Sequence, residues 1–189
     1  MSFELCSRPR NAAATREAIL KAANRRFSAE SYDQVGMRDV ARDVGVDPAL
    51  ISRYFGSKEE LFVAVLEDCG NGSSITEGPR ETFGERMAHD LVYGPKKEGK
   101  LEWLLILLRS ISSPKAAEIV QRNSRNRFYQ PFTDWVGGPD AIVRARLAGA
   151  FMMGLAISRD ITGGFDMTPA ECEAMCRRLA GLLQDLIDN

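Results

Sequence analysis

Between Met37 and Phe55 the chain has room for two helices of about two turns each and little else. Met37, Val40, Ala41 and Val44 recur at helical spacing and share one face. Gly45 then ends that helix, since glycine tolerates the left-handed conformation a helix end takes. Asp47–Pro48 restarts the chain: a carboxylate that caps free N–H groups, then a proline at the first helical position, where no N–H is needed. The second helix offers Leu50 and Ile51 inward and Ala49, Ser52 and Arg53 outward. Ala41 is small where the two helices must approach closely. Two short helices joined by a tight glycine turn are the sequence form of a helix-turn-helix, although a short helical hairpin inside a bundle would read the same way.

The chemistry of the outward face suits DNA. The major groove of B-DNA admits one α-helix, and residues at its N-terminal end reach base edges. That places Asp47, Pro48, Ala49, Ser52 and Arg53 at the bases or backbone, with Tyr54 and Lys58 at the far end within reach of phosphates. Arg38 adds a cation on the preceding helix. Ser57-Lys-Glu-Glu60 is a capping box that opens a longer helix to about Cys69, and its free N–H groups would form a further anion site.

Residues 15–66 carry several motifs in order: Met37-Arg-Asp-Val-Ala41, Gly45-Val-Asp-Pro-Ala49 and Arg53-Tyr-Phe-Gly-Ser-Lys-Glu-Glu-Leu61. Together they closely resemble the DNA-binding domain of the tetracycline-repressor (TetR) family. Arg144–Gly163 is similar to the penultimate helix of actinobacterial-type members. The resemblance implies a homodimer on a double-stranded, palindromic operator, released when a small-molecule effector enters the C-terminal core. Three positions depart from the family's pattern. Gly36 stands where Ser or Thr commonly caps the Met37 helix, Ser52 where Tyr is frequent, and Tyr54 where His is frequent.

The rest of the chain is also helical, with no sustained alternation that would make a sheet. An apolar stripe through Ile19, Leu20, Ala23 and Phe27 predicts a helix from about Ala12 to Ser28, preceded by a basic arm, Met1–Arg10, carrying Arg8 and Arg10. Asn71–Pro79 reads as a loop. Thr82-Phe-Gly-Glu85 reads as a capping box before a helix that ends at Gly94. A polar loop, Lys96–Lys100, follows. Leu101–Ser112 predicts a helix buried on most sides, and Pro114 starts another that runs to about Pro131. Gly137-Gly-Pro139 is a break before a long helix to Ile161. Thr168-Pro-Ala-Glu171 caps a last helix. The expected fold is all-α, with about nine helices: a DNA-binding domain at residues 1–57 and a C-terminal ligand-binding and dimerisation domain at 58–189.

Net charge is −1, from 25 basic and 26 acidic residues, which excludes a chain that coats nucleic acid by charge alone. Through Lys58, however, ten basic residues face seven acidic ones, enough for a few phosphate contacts per half-site. Neither Leu101–Leu108 nor Leu147–Ile157 reaches the roughly 20 apolar residues of a membrane span. Met1–Arg10 lacks the apolar run of a signal peptide. A cytoplasmic protein with reduced cysteines is expected.

The long helix and the last helix form the expected dimer interface, through Ala148, Phe151, Leu155, Leu179, Leu182, Leu183 and Leu186. Gly149 and Gly154, with Ala148 and Ala156, permit close backbone approach. Two such helices per subunit make a four-helix bundle about a two-fold axis. The two half-sites would then lie about 34–36 Å apart, or one turn more. An apolar effector pocket is expected from Trp103, Leu107, Phe128, Met152 and Met153, with His89 and Arg125 as polar anchors.

Catalysis is not expected. His89 is the one histidine, and no nucleophile motif accompanies it. Gly149 and Gly154 are not followed by Lys-Ser or Lys-Thr, so they make no phosphate loop. Cys172 and Cys176 put two thiols on one helical face without further ligands to complete a zinc or redox site. No metal or cofactor is expected. The leading reading is a ligand-released transcriptional repressor. The alternatives are a DNA-binding regulator without an effector, and a helical-bundle enzyme or carrier.

Overall fold

The computed structural model describes residues 8–69, 75–94 and 100–188, excepting the side chains of 8–11, 69, 100 and 101. Every regular element among the described residues is helical. In order they are α1 (Arg8–Ala29), α2 (Met37–Val44), α3 (Pro48–Phe55), α4 (Lys58–Cys69), α5 (Phe83–Tyr93), α6 (Lys100–Ser110), α7 (Pro114–Ser124), α8 (Gln130–Val136), α9 (Ala141–Ile161) and α10 (Pro169–Asp188). A π turn, Arg125–Tyr129, joins α7 to α8 without a break, so the run 114–136 counts as one of nine helical rods among the described residues.

Three boundaries differ from expectation. The first helix begins at Arg8 rather than near Ala12. The predicted basic arm therefore falls partly in α1, while residues 1–7 and the side chains of Arg8 and Arg10 lie outside the described residues, as do 71–74 and 96–99 of the predicted loops. Thr82 makes no capping box. Its hydroxyl donates to the Pro79 carbonyl at 3.3 Å, and α5 opens instead from a 3-10 turn, Arg80–Thr82. The helix after Pro114 does not stop at Pro131. That proline sits in the first turn of α8, directly after the widened π turn, where its missing N–H and its ring do least harm.

The chain forms two compact units. Unit one takes Met1–Gly70 with Glu102–Gln121, and unit two takes Asn71–Leu101 with Arg122–Asn189. The core of unit one joins Ile19, Ala23 and Phe27 of α1, Val40 and Ala41 of α2, Ile51 and Phe55 of α3, and Leu61, Phe62 and Val65 of α4. It also takes Ile106 from α6 and Ala116 and Ile119 from α7. Phe27, Tyr32 and Phe62 form an aromatic triangle, with ring centres 4.8 Å apart for Phe27–Phe62 and 5.0 Å for Tyr32–Phe62. Polar ties hold the later helices on the earlier ones. Asn24 donates to Glu102 at 2.8 Å, Arg109 Nε donates to the Ser28 carbonyl at 2.8 Å, and Lys115 pairs with Glu59 at 2.9 Å. α6 is not buried on most sides: Leu104 and Ile106 are buried, whereas Leu108 is 55% exposed.

Unit two packs Phe83, Ala88 and Leu91 of α5 on Leu179, Leu183 and Ile187 of α10, with Phe132, Ala145, Ala148 and Met152 completing the core. Gly84 allows the close α5–α10 contact: a Cβ there would stand 2.1 Å from the Ala180 carbonyl oxygen. Gly149 plays the same part on α9, where a Cβ would stand 3.0 Å from the Phe128 ring, while Gly154 faces open space. Two buried arginines close helix ends. Arg144 donates to the carbonyls of Pro139, Gly137 and Ile187, and Arg159 to those of Asp90, Leu91 and Gly94. By length and composition alone α9, at 21 residues, could cross a membrane. Its buried side instead packs in this core and carries both of those arginines.

Candidate nucleic-acid interface

The turn between α2 and α3 is built as its residues require. Gly45 adopts φ +74° at the C-cap of α2, and its N–H reaches the Ala41 carbonyl at 2.9 Å. Asp47 Oδ1 accepts the Ala49 N–H at 2.7 Å, which closes the first turn of α3, with Pro48 leading the helix. Ile51 and Phe55 are buried, which fixes the rotation of α3. The same rotation leaves Asp47, Pro48, Ala49, Ser52 and Arg53 exposed on its other side. Tyr54 is half-buried and flanks the unit-one core. Gly36, at the N-cap of α2, supplies no side-chain cap.

Cations are distributed unevenly. Arg38 and Arg53 are exposed. Arg26 is bound to Asp43 at 2.5 and 2.8 Å and reaches Glu30 at 3.1 Å. Arg42 pairs with Asp39, and Lys21 with Glu17. Arg16 lies 4.9 Å from the centre of the Phe55 ring. Lys58 is half-buried, with its ammonium 4.4 Å over the Tyr32 ring. Burial pushes its pKa below the ordinary lysine range, against the pull of Asp33. The Arg26 hydrogen bond holds the Asp43 carboxyl below its ordinary value.

The capping box at the head of α4 forms. The Ser57 N–H donates to Glu60 Oε2 at 2.8 Å, and the Glu60 N–H donates to Ser57 Oγ at 3.1 Å. Those two amides are satisfied within the chain, so the expected anion site at this helix start would fall to the N–H groups of Lys58 and Glu59. Sequence reasoning also missed Tyr32, the platform under Lys58, because it sits in a turn outside any periodic stripe.

The expected dimer residues separate by burial. Ala148, Leu179 and Leu183 are buried in the core of unit two, so they close the subunit on itself instead of offering an outer face. Phe151 is 42% and Leu182 53% exposed, and Leu155 and Leu186 are half-buried. Val143 and Leu147, two turns and one turn before Phe151, extend the same exposed stripe, which an i, i+4 count along α9 would have found. An open hollow of about 350 Å³ lies between α9 and α10, lined among others by Phe151, Leu155, Met175, Arg178 and Leu182.

The expected pocket residues do not line that hollow. Trp103 and Leu107 are half-buried on α6, in unit one. In unit two, Met152 is a core residue, Met153 is half-buried, and Phe128 packs against Phe132 with ring centres 5.7 Å apart. His89 and Arg125 are exposed, and His89 stands beside Tyr93, 5.3 Å between rings.

A capped, rotationally fixed second helix with an exposed polar face, ahead of a helical C-terminal unit, defines a helix-turn-helix DNA-binding regulator. Residues 19–65 match the family described as bacterial regulatory proteins, tetR family, and residues 81–187 match the tetracyclin repressor-like C-terminal domain. The chain belongs to the TetR family of transcriptional regulators.

Among curated proteins, 51 residues are 43% identical to the HTH-type transcriptional regulator BetI of Rhizobium meliloti, covering 27% of this chain and 25% of that protein. A further 57-residue match, at 35% identity, is to an uncharacterised HTH-type transcriptional regulator of Haemophilus influenzae, covering 30% of this chain and 28% of that protein. The matched stretch thus spans about a quarter of each relative's length. Among solved structures, a TetR-family regulator of Streptomyces coelicolor aligns at 25% identity and TM-score 0.60 over 97% of this chain and 99% of that one. NalD of Pseudomonas aeruginosa, described as the secondary repressor of the MexAB-OprM multidrug efflux pump, shares the fold at TM-score 0.66 and 18% identity, covering 90% and 95% of the two chains.

Proposed function

We propose that this regulator is a homodimeric repressor that binds a palindromic operator through α3 and is released by a small apolar or aromatic effector. The observation that carries the DNA reading is the rotation of α3: Ile51 and Phe55 hold it in the core while Ala49, Ser52 and Arg53 face out. Arg53 and Ser52 read bases, Arg38, Tyr54 and Lys58 engage phosphates, and Asp47, Pro48 and Ala49 shape the entry of the helix. In this division residues 1–57, joined by Lys58 at the boundary, touch DNA, and the remainder of 58–189 serves dimerisation and ligand binding.

The second copy is proposed to dock on the exposed stripe Val143, Leu147, Phe151 and Leu182, with Leu155 and Leu186 at its edges. A set of large apolar side chains left exposed on two adjacent helices favours a protein partner. Two-fold symmetry would bring α9 and α10 of both subunits into one bundle. Repression follows from bulk, because a dimer seated across an operator blocks access to the DNA beneath it. The effector is proposed to enter unit two beside Phe128, Met152 and Met153, with His89 and Arg125 as polar contacts, whereas Trp103 and Leu107 belong to unit one.

The test is fluorescence anisotropy with the duplex just upstream of the chain's own coding sequence, against a scrambled duplex, at two salt concentrations. Nanomolar binding to the first that far exceeds binding to the second supports an operator-binding dimer. Equal, salt-sensitive binding to both counts against that operator. Absence of binding at either salt overturns the assignment of α3 as the reading helix.

A further inference from the structure

The inward stripe of α10 runs through Cys172, Cys176, Leu179, Leu183 and Ile187 at helical spacing. From Leu179 onward it is sealed: Leu179, Leu183 and Ile187 are all buried. At its start the stripe opens, and both cysteines are free thiols and only half-buried. Cys176 flanks the core of unit two and Cys172 is not part of it, so core filling accounts for the leucines better than for the pair. Residues four apart on a helix have Cβ atoms about 5–6 Å apart, so Cys172 and Cys176 are neighbours on one face of α10.

The donor set selects the ligand class. Among the described residues no group of three His, Cys, Asp or Glu side chains is placed to hold a metal ion. Structural zinc takes four ligands, which this place does not offer. Soft thiolates select soft ions such as Cu(I), which two sulfurs suffice to hold.

We propose that Cys172 and Cys176 form a two-thiolate site for a soft monovalent cation of the Cu(I) class, on the α5 side of α10. Binding exchanges one Cu(I) for two thiol protons, which pass to solvent. The product is a bis-thiolate of charge −1, and no oxidation state changes. Because two thiol protons leave, uptake strengthens as pH rises.

The experiment uses the full chain carrying Cys6→Ser and Cys69→Ser, so that this pair holds the remaining thiols. It is titrated with Cu(I) anaerobically, in competition with a chromophoric Cu(I) chelator. The expected result is one ion per chain, with an ultraviolet thiolate-to-copper band. Adding Cys172→Ser or Cys176→Ser alone should weaken retention by at least about 100-fold, the upper end of what loss of a mere outer-shell partner costs a metal site, while circular dichroism shows the helical fold kept. Equal retention by either further variant overturns the paired site, as does failure of the parent to retain Cu(I). Displacement of Cu(I) by equimolar Zn(II) overturns the soft-ion assignment.

Discussion

Lys58 holds its ammonium 4.4 Å above the ring of Tyr32, which fixes a cation at the head of α4. Partial burial on that platform works against the charge, and a phosphate oxygen nearby would restore the solvation lost. Lys58→Ala should therefore weaken binding to operator and scrambled duplexes alike. The slope of log affinity against log salt should fall by about 1. Anisotropy over a salt series measures both. A loss confined to the operator would contradict a phosphate role.

Arg53 is exposed on the face of α3 that the core leaves outward. If it reads a base pair, Arg53→Ala should cost about 1–3 kcal/mol against the operator, roughly 5- to 150-fold, with little change on scrambled DNA. Light scattering should give the same oligomeric state before and after. An unchanged operator affinity would remove Arg53 from the reading set.

The Asp47 cap carries two opposed effects. Removing it in Asp47→Ala leaves the Ala49 N–H without its carboxylate and should cost about 1 kcal/mol of stability. The same change takes a negative charge from the face proposed to meet DNA, so non-specific affinity should rise. Urea denaturation and binding to scrambled DNA test the two halves separately.

The Arg26–Asp43 pair joins α1 to α2 and gives a pH dependence of known sign. Asp43 is held below its ordinary pKa by the Arg26 hydrogen bond, so the folded state favours the carboxylate. The contribution is present above the unfolded aspartate value of about 3.9 and is lost as pH falls through the lower folded value. Both side chains are partly exposed, so the pair is worth at most about 1 kcal/mol. Asp43→Asn should be less stable than the parent at pH 7, and the gap should close below about pH 4. A gap that widens in acid would reverse the sign.

Leu182 and Leu183 are neighbours in sequence with opposite assignments. Leu182 is 53% exposed and Leu183 is fully buried. Leu182→Glu should dissociate the dimer with the helical signal intact, because it places a charge on the proposed interface. Leu183→Ala should leave a cavity and cost about 2–5 kcal/mol of stability. Size-exclusion with light scattering, beside thermal melts, distinguishes them. A Leu182→Glu protein that remains dimeric would move the interface elsewhere.

Much of this was legible from local chemistry. Gly45, Asp47 and Pro48 each impose one backbone conformation, so the turn between α2 and α3 could be placed to the residue. The caps at Ser57 and Thr168 were readable for the same reason. Thr82 carried an identical pattern and failed, because its hydroxyl turned back to Pro79. Periodicity located α9 and α10 but could not divide their apolar residues between the subunit's core and its surface. Ala148 and Leu183 face inward and Phe151 and Leu182 outward only once α5 is known to lie against α10. Tyr32 beneath Lys58 and Asn24 on Glu102 join places distant along the chain, and no window of sequence reports such pairs.

Unit one is completed by a second passage of the chain: Ile106, Ala116 and Ile119 lie in the same core as Phe27 and Phe62. A hybrid regulator spliced once, after residue 70, would carry α1–α4 without the floor they rest on. A transplant that keeps this head intact needs two exchanges, one for the leading segment and one for 102–121. Shuffling of reading heads among such regulators is thereby constrained. Recombination at one crossover inherits the bases to be read but not the packing that aims the reader.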